Sequence, residues 1–214
     1  MKKGKLIVFE GIDGVGKATQ AALLAKRIKA SGAGIKTFES PRYDLSSGKL
    51  VQRTLTGEFG NFVALSPYIS ALPYLVDFAA WRSEIVGALE KGVVVCDRHV
   101  QSTIAYHGAK LSGAARKKFL KEISRLAFTE LKLPEPDLVF FLDVPVAKAE
   151  QLLAKRKKDQ HEKDRAYQKK VSNIYHTLAK NKNWHRIECV QDGAMLSREA
   201  IHEQVWQIVR KHLA

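Results

Sequence analysis

A single stretch restricts the fold more than any other part of the chain. Four apolar residues, 6–9, lead into Gly11-Ile12-Asp13-Gly14-Val15-Gly16-Lys17-Ala18-Thr19, and residues 17–31 then place Leu23, Leu24 and Ile28 at helical spacing. A buried strand that turns through glycines into a helix is the context of a phosphate-binding loop. The glycines let backbone N–H groups curl around an anion, the helix amino end adds its partial positive charge, and Lys17 can reach the outer phosphates.

The rest of the chain repeats this alternation. Runs at 35–38, 93–96, 138–142 and 187–190 join 6–9 as five buried parallel strands. Helical patterns occupy 114–126, 146–158, 165–180 and 197–213, and another, opened by Ser66-Pro67, spans 66–90. Gly32, Gly34, Pro41, Pro134, Pro136 and Pro145 mark the joins. The expectation is an α/β fold: a doubly wound, five-stranded parallel sheet flanked by helices, with its ligand at the carboxyl ends of the strands.

Composition narrows the partners. With 36 Lys plus Arg against 22 Asp plus Glu the net charge is +14, which suits phosphorylated small molecules, acidic surfaces or nucleic acid. No zinc-finger, leucine-zipper or RNA-binding aromatic pattern accompanies that charge, so a solvated basic surface is preferred to nucleic-acid binding. The longest apolar run has five residues, 138–142, well short of the ~20 a membrane helix needs. The apolar run 6–9 is too short for an export signal. Cys96 and Cys189 each lie in a strand-like segment and read as buried free thiols, which suits a cytoplasmic location.

One position departs from the usual loop. The residue after the lysine normally carries a hydroxyl that touches Mg²⁺, and here it is Ala18. Thr19 is rotated by ~100° around the helix and does not replace it. Mg²⁺, accompanying ATP as donor, must then rely on water and carboxylates, and the candidates are Asp97 and Asp143 at strand ends and Asp13 inside the loop.

These residues, together with several segments further along, resemble the thymidylate kinase family. The match runs through 10–20, Pro41-Arg42-Tyr43, Phe78-Ala79-Ala80-Trp81-Arg82, Asp97-Arg98-His99, Ser102-Thr103-Ile104-Ala105-Tyr106 and Leu133-Pro134-Glu135-Pro136-Asp137. The resemblance implies a P-loop NTPase-like single domain over 1–214, with the phosphate loop at 11–19 and a short lid at about 155–165. It implies transfer of the γ-phosphate of ATP to thymidine monophosphate (dTMP), as a step in making dTTP, by a homodimer.

Residue by residue, ATP would lie on Gly11, Ile12, Asp13, Gly14, Val15, Gly16, Lys17, Ala18 and Thr19. The acceptor's phosphate would meet Arg42 and Arg98, with Tyr43 beside them. Phe78 would stack on thymine and Arg82, one turn later, would donate to a ring carbonyl. Thr103 would meet the base edge, and Tyr106 would lie under the deoxyribose and disfavour a 2′-hydroxyl. Lys17, Asp13, Arg98 and the lid's Arg156 would carry catalysis. Pro73, in the middle of the helix bearing Phe78, is expected to kink it or cost ~3 kcal/mol.

Other functions share parts of this pattern. Another nucleoside monophosphate kinase or a deoxynucleoside kinase would use the same loop, and the charge also permits a nucleic-acid-stimulated ATPase or an inactive nucleotide-binding module.

Overall fold

Leu6 to Phe9 have no polar side chain to solvate, and the strand they form, β1 (Leu6–Glu10), is buried along its whole length. In the computed structural model, which describes residues 4–153 and 164–213, β1 lies at the centre of the sheet between β3 (Val93–Asp97) and β4 (Leu138–Asp143). β2 (Ile35–Glu39) and β5 (Trp184–Glu188) form the edges, giving the order β2-β3-β1-β4-β5 with every pairing parallel. Phe9 stacks on Phe140 with ring centroids 5.4 Å apart. Each such buried side chain contributes about 1.5–3 kcal/mol of apolar transfer.

The edge strands differ from the expectation of uniform burial. β2 exposes Lys36, Thr37 and Glu39, and β5 exposes Arg186 and Glu188. The fifth strand also starts three residues earlier than its apolar run at 187–190 suggests. Alternation puts Trp184 and Ile187 on opposite faces of β5, and both are buried, while Arg186 and Glu188, on the same face as Trp184, are exposed toward the open edge. Val190 instead joins β6 (Val190–Gln191), paired antiparallel with β7 (Ala194–Met195).

The helices are α1 (Lys17–Ala30), α2 (Ser46–Leu55), α3 (Pro67–Ala80), α4 (Arg82–Lys91), α5 (Val100–Gly108), α6 (Gly113–Ser124), α7 (Val146–Leu153), α8 (Arg165–Leu178) and α9 (Arg198–Leu213). A π-helical turn, Arg125–Glu130, continues α6. The single helix expected over 66–90 is two, broken at Trp81, whose φ is −112° and ψ 13°. Tertiary packing accounts for the break: Trp81 is buried and stacks on Phe38 at 5.2 Å. Pro73 lies inside α3 without ending it.

Two helices, α2 and α5, fall outside the helical patterns read from the sequence. Every residue of α5 is buried, so no polar face alternates with an apolar one. α2 opens with Ser46, Ser47 and Gly48, which are weak helix formers. The helix expected over 146–158 is described as far as Leu153, and most of the lid segment, including Arg156, lies outside the described residues.

Candidate active site

β1 and β3 are neighbours, yet the chain leaves β1 for β2 on one side and leaves β3 for β4 on the other. Such a reversal opens a crevice at the carboxyl ends of the two strands, where α/β proteins place their ligands. The loop after β1 fills one wall. Gly11 has φ of +144°, and a Cβ there would stand 2.8 Å from the carbonyl oxygen of Leu142. Gly16, with φ of +95°, makes the left-handed turn into α1. Lys17 is buried, and its Nζ donates to the carbonyl of Ile12 at 2.8 Å, folded back over the loop it would leave to meet phosphate. Burial, with Arg98's charge nearby, lowers its pKa to about 8.

The other wall follows β3. Arg98 adopts φ of +68°, an uncommon backbone for a residue with a side chain. Its N–H donates to Phe9 O at 3.0 Å, which turns the guanidinium toward the phosphate loop. Nη2 donates to Asp13 Oδ1 and Nη1 to Ser102 Oγ at 3.1 Å, while Tyr106 OH donates to Asp13 Oδ2 at 2.7 Å. Asp13 is thereby committed to Arg98 and Tyr106.

Beneath this pair sits Glu10, fully buried at the end of β1. It accepts from His99 N at 2.9 Å, Ser102 N at 3.2 Å, Ser102 Oγ at 2.5 Å and Tyr175 OH at 2.8 Å. Burial pushes its carboxyl up from the ordinary value, against the pull of Ser102 and Arg98. A single carboxylate therefore fastens the start of α5 to β1 and to α8.

All five strands of the sheet end in an acidic residue: Glu10, Glu39, Asp97, Asp143 and Glu188. Their partners separate their roles. Asp143 is held by Arg186 Nε at 2.6 Å and faces His176 Nε2 at 3.5 Å. Asp97 Oδ1 is buried and has no hydrogen-bond partner among the described residues. It borders a cavity of about 600 Å³ that Ala18 and Arg42 also line. One carboxylate with an open oxygen beside the phosphate loop fits a magnesium ion that takes its other ligands from phosphate and water. Such a site needs no cluster of three or more protein ligands, and none occurs among the described residues.

A second cavity, about 200 Å³, lies between α3 and α5. Arg98, Tyr43, Phe78, Thr103 and Tyr106 all line it. Arg42 is on the neighbouring cavity instead, its guanidinium paired with Asp44 at 3.0 and 2.7 Å. The turn that carries it is pinned by Asp77, buried in α3, which accepts from Arg42 N at 3.0 Å and Ser47 Oγ at 2.8 Å.

The family model described as Thymidylate kinase matches residues 9–204. The chain belongs to the thymidylate kinase family. A probable thymidylate kinase of Pyrococcus abyssi is 33% identical over 218 residues, covering 99% of this chain and 98% of the relative. The thymidylate kinase of Thermomicrobium roseum is 35% identical, covering 95% and 93%. The solved thymidylate kinase of Candida albicans shares the fold at a TM-score of 0.75 and 24% identity, over 98% of this chain and 92% of that one. Thymidylate kinases are nucleoside monophosphate kinases, that is, phosphotransferases.

Within this thymidylate kinase framework the structure brings Asp13, Lys17, Asp97, Arg98, Thr103 and Tyr106 together at the ends of β1 and β3. It does not bring Arg82 there. With α3 ending before it, Arg82 starts α4 and donates from Nε to Lys132 O at 2.7 Å, bordering a different cavity with Leu6 and Asp137. Phe78 is buried between Trp81 and His99, with centroids at 5.5 and 5.1 Å. Sequence reasoning missed Tyr74 and His107, which line the acceptor-side cavity, and Asp77. Tyr74 stands one helical turn before Phe78, and Asp77 is the only charged residue in α3, so both left a signal.

Proposed function

We propose that this chain phosphorylates dTMP with MgATP as donor, and that the two cavities meeting at Arg98 divide the work. The observation that carries the reading is the placement of Arg98. Its left-handed backbone holds one guanidinium both against the phosphate loop and in the wall of the second cavity. Phosphoryl transfer needs two anionic tails held in line with positive charge between them, and little covalent chemistry from the protein.

In this reading the amides of 11–17 and Lys17 grip the donor's phosphates, and Arg98 holds the acceptor's phosphate opposite. Arg42 joins it by exchanging Asp44 for that phosphate. Asp13 aligns Arg98, and Tyr106 supports the sugar. Mg²⁺, when bound, would neutralise charge on the donor phosphates and would be held by Asp97, since Ala18 offers no hydroxyl. Among positions 12–15 no side chain is basic, so Arg156 of the lid is assigned to the bridging oxygens of the donor.

Steady-state assay against dTMP, dUMP, dCMP, dGMP and free thymidine tests the function. dTMP should be the preferred acceptor and free thymidine should be inert. Discrimination against dUMP should be modest, because one methyl group contributes only ~1–3 kcal/mol. ATP hydrolysis stimulated by DNA, with no nucleotide phosphorylated, would replace this reading with that of a nucleic-acid-dependent ATPase.

Ile69, Leu72 and Val76 form an exposed apolar stripe along α3, at 55%, 51% and 49% exposure. A helix face of this kind supports a homodimer in which two copies cover it mutually. Sedimentation at micromolar concentration, giving one species at the mass of a single chain, would remove the dimer. The two buried free thiols support a reducing, cytoplasmic setting.

A further inference from the structure

Arg98 is held in the site with help from side chains that line neither cavity. Its guanidinium is fixed at both terminal nitrogens: Nη2 donates to Asp13, and Nη1 donates to Ser102 Oγ at 3.1 Å. An arginine can only donate, so Ser102 has to present a lone pair to it. A serine hydroxyl turns about its C–O bond, and by itself could aim either its hydrogen or a lone pair at the guanidinium. A second contact must decide which.

Glu10 and Tyr175 make that decision. Ser102 Oγ stands 2.5 Å from Glu10 Oε2, and Tyr175 OH stands 2.8 Å from the same oxygen. The two hydroxyl oxygens are 3.1 Å from each other. A carboxylate can only accept, so both hydroxyl hydrogens go to Glu10, by the shorter contacts. Ser102 has one hydrogen, which is thereby directed away from Arg98, and its lone pairs remain for Nη1. The other carboxylate oxygen accepts from His99 N at 2.9 Å and Ser102 N at 3.2 Å. Four donors and the Arg98 charge favour the ionised carboxylate against the burial that opposes it.

The contacts run from α8, through the end of β1, to the cavity wall. Glu10 and Tyr175 are buried behind that wall, whereas Ser102 and Arg98 line the second cavity. Tyr175 also packs through its ring, which stacks on Phe141 with centroids 5.4 Å apart. Tyr167, about two turns earlier on α8, donates from its own hydroxyl to Tyr106 O near the other end of α5. The ring stack and Tyr167 thus join α8 to the sheet and to α5 without the hydroxyl of Tyr175. What that hydroxyl adds is orientation of the hydrogens around Glu10.

We propose that the Ser102 hydroxyl, its hydrogen directed by Glu10 and Tyr175, is a positioning group that sets the guanidinium of Arg98 on the acceptor's phosphate. Glu10 and Tyr175 act only through this hydroxyl. A guanidinium binds phosphate through a planar fork, so its orientation decides how well it holds one. The inference rests on the reading of Arg98 as the anchor of the acceptor's phosphate.

The test measures kcat and the KM for dTMP and for ATP, in the full chain and its variants. Ser102→Ala and Tyr175→Phe should each raise the KM for dTMP by ~10-fold, the size of one hydrogen bond in a charged network, and leave the KM for ATP within ~2-fold. Because the two act in series, Tyr175→Phe added to Ser102→Ala should change the KM for dTMP by no more than a further ~2-fold. A merely structural role would reduce the active fraction, lowering kcat with both KM values unchanged. That outcome, or two effects that multiply in the double variant, overturns the proposal. Should Tyr175→Phe fold poorly, Ser102→Ala decides alone, by showing or lacking the split between the two KM values. Arg98→Ala separates this inference from the functional reading beneath it. If that variant leaves the KM for dTMP unchanged, Arg98 does not anchor the acceptor, and the functional reading fails first.

Discussion

The donor loop and the acceptor-side cavity are built by opposite means. The donor site is one contiguous segment in which glycine conformations and a buried lysine create the binding surface, so its geometry is largely a backbone property. The acceptor-side cavity is assembled from side chains on the turn after β2, on α3 and on α5. Backbone sites depend on local sequence, whereas side-chain sites depend on how helices rotate against one another. The first tolerates substitution of its neighbours, and the second should not.

The largest expected effect concerns Asp77, which organises the acceptor side from within α3. Asp77→Ala removes the partner of a backbone N–H and a hydroxyl, and should lower the unfolding free energy by ~2–3 kcal/mol in denaturant titration. ATP affinity should change by less than ~3-fold, because the donor loop does not touch it. A loss of stability under ~1 kcal/mol would mean that the Pro41–Ser47 turn holds itself, and would blur the contrast between the two regions.

An intermediate effect lies in the donor loop. With Lys17 lowered to about 8, roughly half of the free protein has a neutral amine at pH 8. Phosphate charge favours the ammonium, so its pKa rises on binding and the complex takes up a proton rather than releasing one. Calorimetry at pH 8 in buffers of different ionisation enthalpy should report uptake of ~0.5 proton per ATP, absent in Lys17→Met. Equal uptake in both proteins would locate the proton elsewhere.

The smallest effect is the sharpest discriminator. Arg82→Ala should leave kcat/KM for dTMP within ~3-fold, since its guanidinium serves the carbonyl of Lys132. A fall of ~100-fold, the size of a lost charged contact to substrate, would show that Arg82 swings into the acceptor-side cavity.

The same contrast explains which parts of the molecule are legible in the amino-acid sequence. The strand-loop-helix of 6–31 is legible because glycine and lysine spacing states its chemistry outright. The alternation of runs is enough to give the parallel sheet. The break at Trp81 is not legible, since it arises from a ring seeking Phe38 across the molecule, and that break decides where Arg82 goes. α5 is equally silent, because a helix buried on every side has no periodic face. His107 lines the acceptor-side cavity only because the fold sets α3, with Ser70 and Tyr74, against α5.

Glu10 carries a practical consequence for redesign. Because it clamps the first turn of α5 through Ser102 and the His99 amide, that end of the helix behaves as a fixed hinge-post. Thr103, the next residue, and His107, one turn beyond it, can then be varied to recruit other bases without disturbing the transfer machinery. A library that includes Ser102 or Tyr175 would mostly return inactive proteins, however well their pockets suited the new ligand.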